Sequence, residues 1–99
     1  MKIVLDLLAF MPTRAHEYDA GLDLYSASDD VYIYPGGSEL FDTGVHIQLP
    51  KNTVGFLKSK SGLNVKHGIT SEGVIDVGYT GSIMVKLYNH GSKPYKVCR

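Results

Sequence analysis

Tryptophan is absent from the sequence, cysteine occurs once, and acidic and basic residues are equal in number. Cys98 alone cannot form an intramolecular disulfide and has no nucleophile motif around it, so we interpret it as an incidental thiol of a reducing compartment. The zero net charge and the lack of a Lys/Arg run argue against nucleic acid as a partner, because phosphate neutralisation needs clustered cations. A small anionic ligand remains compatible with this composition.

Long hydrophobic runs are missing as well. The apolar opening of the chain is interrupted by Asp6 and no small-residue cleavage site follows it, while no segment approaches the roughly 20 apolar residues of a membrane span. We therefore expect a cytoplasmic protein without a membrane partner. The 99 residues, 43% of them hydrophobic, predict one domain over 1–99. A chain of this length has a modest core, and we expect partner subunits to complete it.

Turn signals recur along the chain, and the apolar runs between them are short and rich in Val, Ile and Tyr, which predicts an all-β protein. Regularly spaced short strands with Gly-rich turns favour a jelly-roll-like barrel or sandwich. A β-hairpin is predicted around the turn at 78–81. Further strands are predicted within 2–8, 22–26, 31–34, 45–49, 54–59 and from 94 onward, on both sides of 42–44, and the stretch 61–68 is predicted to be a polar loop.

Two groups of residues combine glycine with polar or charged side chains. Asp23 lies between two leucines, so its carboxylate either points to solvent on a strand edge, the reading favoured by alternation, or is held near a cation. The segment 58–69 contains three lysines, two glycines and serine hydroxyls. It could cradle a phosphate through close backbone N–H groups and charge, but an ordinary exposed loop is the favoured reading of this element in isolation.

The third group is the hairpin, where Asp76 follows Gly73-Val74-Ile75 and precedes Tyr79 by three residues. A partly buried carboxylate can take a proton from water and a tyrosine ring can cover a sugar, but a turn-forming Asp and a packing Tyr are the simpler reading in isolation. The histidines at 16, 46, 67 and 90 are scattered without zinc-ligand spacing.

Together, the three groups resemble, in order and spacing, the first three of five motifs of the trimeric dUTPase family. The resemblance covers nearly the whole chain, from about 3 to 97. Its third motif is the most specific. The matching segments are Ala-Gly-x-Asp-Leu at 20–24, Ser-Gly-Leu followed by Lys-His-Gly-Ile within 61–69, and Gly-Val-Ile-Asp-x-x-Tyr-x-Gly at 73–81.

The resemblance implies a jelly-roll homotrimer with shared active sites that hydrolyses dUTP to dUMP and pyrophosphate. Asp76 would activate the attacking water, Tyr79 would exclude a ribose 2′-hydroxyl, and Asp23 would reach a phosphate-bound Mg²⁺ through water. The remaining substrate contacts would be phosphate contacts from Lys60, Ser61 and Gly62 and uracil contacts from the backbone of Gly73, Val74, Ile75 and Met84.

The chain departs from the family pattern at three places. Lys60 and Thr80 stand where the family usually has arginine, and lysine keeps the charge of the first but loses the bidentate fork. The fourth and fifth motifs have no counterpart before Arg99, so we expect a chain lacking a C-terminal strand and lid arm.

Three alternatives stay open at this point. The chain could be a catalytically impaired dUTPase-like module that binds a nucleotide or a protein partner, or a structural jelly roll whose glycines only make turns. The related dCTP deaminases use a catalytic glutamate near the same hairpin, whereas Asp76 and Tyr79 follow the dUTPase pattern.

Overall fold

The computed structural model describes residues 1–98, which form nine short strands and one small helix on the surface. The all-β prediction is confirmed. The strands are β1 (Lys2–Leu5), β2 (Val31–Ile33), β3 (Ser38–Asp42), β4 (Val45–Gln48), β5 (Gly55–Lys58), β6 (Ile69–Thr70), β7 (Glu72–Ile75), β8 (Met84–Asn89) and β9 (Tyr95–Val97), and the helix is α1 (Ser61–His67).

Every strand pair is antiparallel: β1 with β4, β2 with β9, β5 with β7, and β8 between β3 and β6. Alternation along these strands turns one side chain in two toward the interior. The main cluster of buried side chains is formed by Val45, Ile75 and Ile83. The core therefore lies where β4 and β7 meet the residue that precedes β8.

Two predicted strands are shorter or missing. The segment 22–26 makes only an isolated bridge, in which Asp23 and Thr13 exchange their backbone hydrogen bonds. The first strand ends at Leu5 rather than Leu8 because the chain turns there: Ala9 N–H donates to the Asp6 carbonyl at 3.1 Å and Leu8 has a φ of 73°.

The predicted loop 61–68 is instead helix α1. Gly68, taken from the sequence as a loop residue, is its C-cap: it has a φ of 70°, and its N–H donates to the Asn64 carbonyl at 2.9 Å. A left-handed glycine after the last turn is a common helix ending. Within residues 1–98 no helix has the length and apolar character to cross a membrane.

The predicted hairpin between β7 and β8 is wrong. Consecutive in the chain, these strands belong to different sheets. The residue before β8, Ile83, bonds elsewhere: its N–H donates to the Val45 carbonyl at 2.8 Å, and its carbonyl accepts from Thr43 N–H at 3.0 Å. These bonds hold the start of β8 on the β3–β4 turn, so residues 76–83 form a wide connection between two sheets.

Candidate functional site

A cleft of about 260 Å³ opens between β7 and the start of β8. The structure thereby brings together all the residues that the sequence assigned to the base, the sugar and the water-activating group. They are Gly73, Val74, Ile75, Asp76, Tyr79 and Met84, joined in the lining by Leu40, Leu57, Glu72, Ile83 and Lys86.

Backbone edges form two walls of this cleft. β7 pairs with β5 along one edge, β8 pairs with β3 from Met84 to Tyr88, and β6 reaches β8 only at Tyr88 and Asn89. Since β7 and β8 are not neighbours in any sheet formed by residues 1–98, the second edge of β7 and that of the start of β8 carry peptide groups without a strand partner among these residues. The cleft can thus offer fixed donors and acceptors to a flat ligand.

Asp76 and Tyr79 lie on the connection that closes one end of the cleft. Tyr79 N–H donates to the Asp76 carbonyl at 3.1 Å, a turn that Gly78 permits with a φ of 92°. The Tyr79 hydroxyl donates to the Ser82 carbonyl at 2.8 Å. A side chain at Gly81 would meet this hydroxyl, since a Cβ atom there would lie 2.7 Å from it. The connection therefore fixes the position of the Tyr79 ring.

The carboxylate of Asp76 is exposed in the chain, whereas the sequence had suggested a partly buried one. The isolated chain thus leaves Asp76 open to solvent, and Tyr79 is 46% exposed beside it. Both side chains are accessible to a ligand, and neither is sequestered in the core.

The turn between β3 and β4 holds the connection 76–83 through hydrogen bonds. Asp42 accepts hydrogen bonds from the Ser82 hydroxyl and from Gly44 N–H at 2.9 Å, and the two bonds lower the pKa of its carboxyl. The hydroxyl of Thr43 donates to the Ile83 carbonyl at 2.7 Å. Ser82 and Ile83 are therefore tied to a rigid turn.

The predicted phosphate and metal residues form a second group. Lys60 Nζ lies 3.2 Å from Asp23 Oδ2, so Asp23 is held near a cation, and its side chain is still 28% exposed there. Ser61 and Gly62, in the first turn of α1, are exposed, and nothing lies within 4 Å of a Cβ built on Gly62. None of these four residues lines the cleft.

Asp23 is the acidic residue of this second group. In the part of the chain from 1 to 98, no three His, Cys, Asp or Glu side chains are grouped so that they could hold a metal ion. A magnesium ion carried by phosphates needs only one or two protein carboxylates, since phosphate oxygens and water supply the other ligands. The donor set, one accessible carboxylate beside a lysine, fits such an ion and does not fit an all-protein metal cage.

Sequence reasoning missed Lys86 and Leu40 in the cleft. Lys86 follows Met84 by two residues, so strand alternation alone places the two side chains on the same side. Leu40 faces Lys86 across the β3–β8 pair. No local pattern in the sequence predicts this register. The Lys86 ammonium lies 5.3 Å from the centre of the Tyr88 ring, which keeps a positive charge at this wall.

Known proteins resemble the chain over nearly all of its length. The chain is 46% identical over 98 residues to a deoxyuridine 5'-triphosphate nucleotidohydrolase of Gloeothece citriformis, covering 96% of the chain and 67% of that protein. It is 45% identical over 92 residues to the enzyme of the same name of Clostridium tetani, covering 90% and 63%. The chain thus spans about two thirds of the length of these relatives.

Solved dUTPase structures have the same fold. The Staphylococcus bacteriophage 80alpha dUTPase with dUPNHPP matches with a TM-score of 0.83 and 33% identity, covering 92% of this chain and 54% of that one. A mutant dUTPase from phage phi11 of S. aureus, whose structure shows the coordination of a structural Mg(II) ion, matches with a TM-score of 0.82 and 33% identity, covering 92% and 60%. The jelly-roll-like β fold expected from the resemblance is confirmed.

The family model named dUTPase matches residues 9–98, a range that contains every cleft and phosphate-group residue described above. The order and spacing of the three motifs therefore reflect common descent rather than chance, and the chain belongs to the dUTPase family.

Proposed function

We propose that this protein hydrolyses dUTP to dUMP and pyrophosphate. The observation that carries the proposal is the cleft between β7 and β8, because two unpaired backbone edges and a fixed tyrosine meet there beside an accessible carboxylate. Family membership supports it, as does the activity for which the two relatives are named, since both are deoxyuridine 5'-triphosphate nucleotidohydrolases. The structure of the phage 80alpha dUTPase contains dUPNHPP, so the same fold binds this nucleotide in that protein.

The base would lie between the two strand edges. Peptide groups of Gly73, Val74 and Ile75 on one wall and of Met84 on the other would bond the edge of uracil. Backbone groups cannot exchange donors for acceptors, so the amino group of cytosine would leave buried peptide groups unpaired. This mismatch would select uracil over cytosine.

The sugar and the reacting water would lie at the closed end of the cleft. The Tyr79 ring, fixed by its bond to the Ser82 carbonyl, would leave no room for a 2′-hydroxyl. Asp76 would orient a water molecule and accept its proton as the oxygen attacks the α-phosphorus in line with the leaving pyrophosphate. The exposed position of Asp76 leaves space for the nucleotide to cover it.

The triphosphate would be held by the second group of residues. The hydroxyl of Ser61, the backbone N–H of Gly62 and the Lys60 ammonium would bind phosphate oxygens, and Asp23 would reach a Mg²⁺ ion through a coordinated water. Magnesium bound to the phosphates would neutralise their charge and constrain their geometry. The ion pair between Lys60 and Asp23 is 60% and 28% exposed at its two side chains. Exposed pairs contribute little to stability, so the two side chains can separate for these roles at small cost.

We also propose a homotrimer whose active sites combine residues of different subunits. The phosphate-group residues do not line the cleft, yet a single dUTP molecule would have to contact both groups. The chain also exposes large apolar side chains on its strands, among them Phe56 and Val74, which are 65% and 61% exposed and face each other across β5 and β7. A second subunit would cover such side chains and complete the site.

The test is a product assay with the native full-length gene product in magnesium buffer. We expect dUMP and pyrophosphate from dUTP, little turnover of dCTP, dTTP or UTP, and loss of activity with EDTA that Mg²⁺ restores. Calorimetry with a non-hydrolysable dUTP analogue runs in parallel. Analogue binding without turnover would identify a binding module instead, and no binding of any deoxynucleotide would contradict both functions.

A further inference from the structure

One histidine on β4 connects two parts of the chain through its ring. The Nδ1 atom of His46 lies 2.7 Å from the Thr80 carbonyl oxygen, and its Nε2 atom lies 2.9 Å from Asp6 Oδ1. The ring is partly sheltered, with 28% of the side chain exposed. His46 therefore links the residue after Tyr79 to the turn that follows β1.

Both ring nitrogens of His46 face oxygen atoms that can only accept. A neutral imidazole has one N–H, so either tautomer would set a lone pair against the carbonyl or against the carboxylate, whereas the imidazolium donates to both. The Thr80 carbonyl and Asp6 raise the pKa of His46, as does the charge of Asp42, and burial opposes them less strongly. These two aspartates, one from each neighbouring turn, are the charged groups that act on the ring.

The Thr80 carbonyl is a sensitive place to hold the connection. It lies one residue after Tyr79 and two before Ser82, whose carbonyl accepts the Tyr79 hydroxyl bond. The bonds of Ser82 and Ile83 to the β3–β4 turn fix the far end of the connection. The His46 bond therefore fixes its middle, next to the ring that would contact the sugar.

We propose that His46 is a positioning residue for nucleotide binding: its protonated ring holds the Thr80 carbonyl and thereby keeps Tyr79 in place. The proposal rests on the proposed function. It makes sugar recognition depend on pH, because the neutral ring keeps its one proton on Nε2, where the Asp6 carboxylate is the stronger acceptor, and so loses the bond from Nδ1 to the Thr80 carbonyl. Tyr79 then loses part of its support without any change in its own chemistry.

The first measurement compares KM and kcat for dUTP in the wild type and in His46→Asn from about pH 5.5 to about pH 9, a range that brackets the histidine pKa. Asparagine places an N–H donor near the position of Nδ1 but does not titrate. We expect the wild-type KM to rise roughly 3- to 10-fold as the ring loses its proton, about the value of one hydrogen bond, while kcat changes little. The His46→Asn variant should lack this step.

Ionisation of the nucleotide is common to both proteins, so the ratio of their KM values isolates His46. His16→Asn serves as the matched control, since His16 is 83% exposed and pairs only locally with Asp19; its profile should follow the wild type. Asp6→Asn removes the charge that favours the imidazolium and should move the step to lower pH. A KM ratio that stays constant with pH, or a step that Asp6→Asn leaves in place, would overturn the proposal.

A second readout does not require activity. In NMR spectra of the native protein, the amide signals of Thr80, Gly81 and Ser82 should titrate with the same midpoint as the His46 ring, and His46→Asn should abolish this transition. Titration of the ring without any response in these amides would contradict the proposal even in an active enzyme. If the amides respond but dUTP is not hydrolysed, the proposed function fails and the link between His46 and the connection stands.

Discussion

The two ends of the candidate site are built in different ways. The cleft between β7 and β8 is made of peptide groups and of a tyrosine held by hydrogen bonds inside its own connection. The phosphate end is made of exposed side chains, Lys60 and Ser61 among them, and Lys60 forms an ion pair with Asp23. In the proposed function, recognition of the base and sugar would be rigid and steric, whereas recognition of the phosphates would be electrostatic and adjustable.

The largest effect should come from Asp76→Asn. The amide keeps the size of the side chain but cannot accept a proton from water, so we expect kcat to fall by about 100- to 10,000-fold and the affinity for a dUTP analogue to change little. Single-turnover kinetics measure the chemical step directly. Asp29→Asn, at another exposed aspartate, is the control, and wild-type turnover in Asp76→Asn would show that the base lies elsewhere.

A smaller effect, confined to selectivity, is expected for Gly81→Ala. The added Cβ would lie 2.7 Å from the Tyr79 hydroxyl oxygen, so the ring must move and the ratio of kcat/KM for dUTP over UTP should fall about tenfold. Tyr79→Phe is the comparison variant, because it removes the hydrogen bond to the Ser82 carbonyl without adding an atom that displaces the ring. If selectivity were unchanged in Gly81→Ala, the rigid end of the site would not depend on the ring position.

At the phosphate end, we expect Lys60→Met to weaken the binding of a dUTP analogue about tenfold, which is in the range of one hydrogen bond to a charged group. Binding of deoxyuridine, which has no phosphate, should not change, and calorimetry can measure both. Lys51→Met, at an exposed turn, removes the same charge elsewhere. Lys60→Arg should bind at least as tightly as the wild type, since its planar fork matches phosphate oxygens.

The smallest effect is expected on the pH dependence of thermal stability, through Asp42 at the β3–β4 turn. The folded-state pKa of Asp42 is lower than its unfolded value of about 3.9, so its contribution is complete above that pH and is lost as the pH falls through the folded value. Asp42→Asn should therefore lower Tm at neutral pH, and the difference should shrink in acid. A difference in Tm that is the same at both pH values would contradict this assignment.

The cleft residues could be predicted from sequence because Gly73 to Tyr79 are contiguous, and a contiguous motif keeps its members together in any fold. Strand pairing could not. The apolar runs on both sides of 78–81 looked like a hairpin, yet long-range packing of Ile83 against Val45 decided the partner of β8. The local sequence pattern cannot distinguish pairing of β8 with β7 from pairing of β8 with β3, since both satisfy the same alternation of apolar and polar residues.

The helix α1 and the contacts of Lys60 and His46 were missed for related reasons. Ser61-Gly62 and His67-Gly68 carry turn-forming residues, and the sequence gives no sign that Gly68 ends a helix rather than a loop. The partners of Lys60 and His46, Asp23 and Asp6, lie far away in the chain. Ion pairs of this kind depend on the complete topology, and no periodic pattern in the sequence indicates them.

The separation of β7 and β8 into different sheets also has a consequence for folding. Pairing β7 with β5 closes a short segment around α1, whereas pairing β8 with β3 closes a much longer one, and the entropy lost on closure grows with length. We expect the first pair to form early and the second late. The cleft would then come into existence only with the late event, and a refolding chain would gain its affinity for nucleotide after most of its β structure.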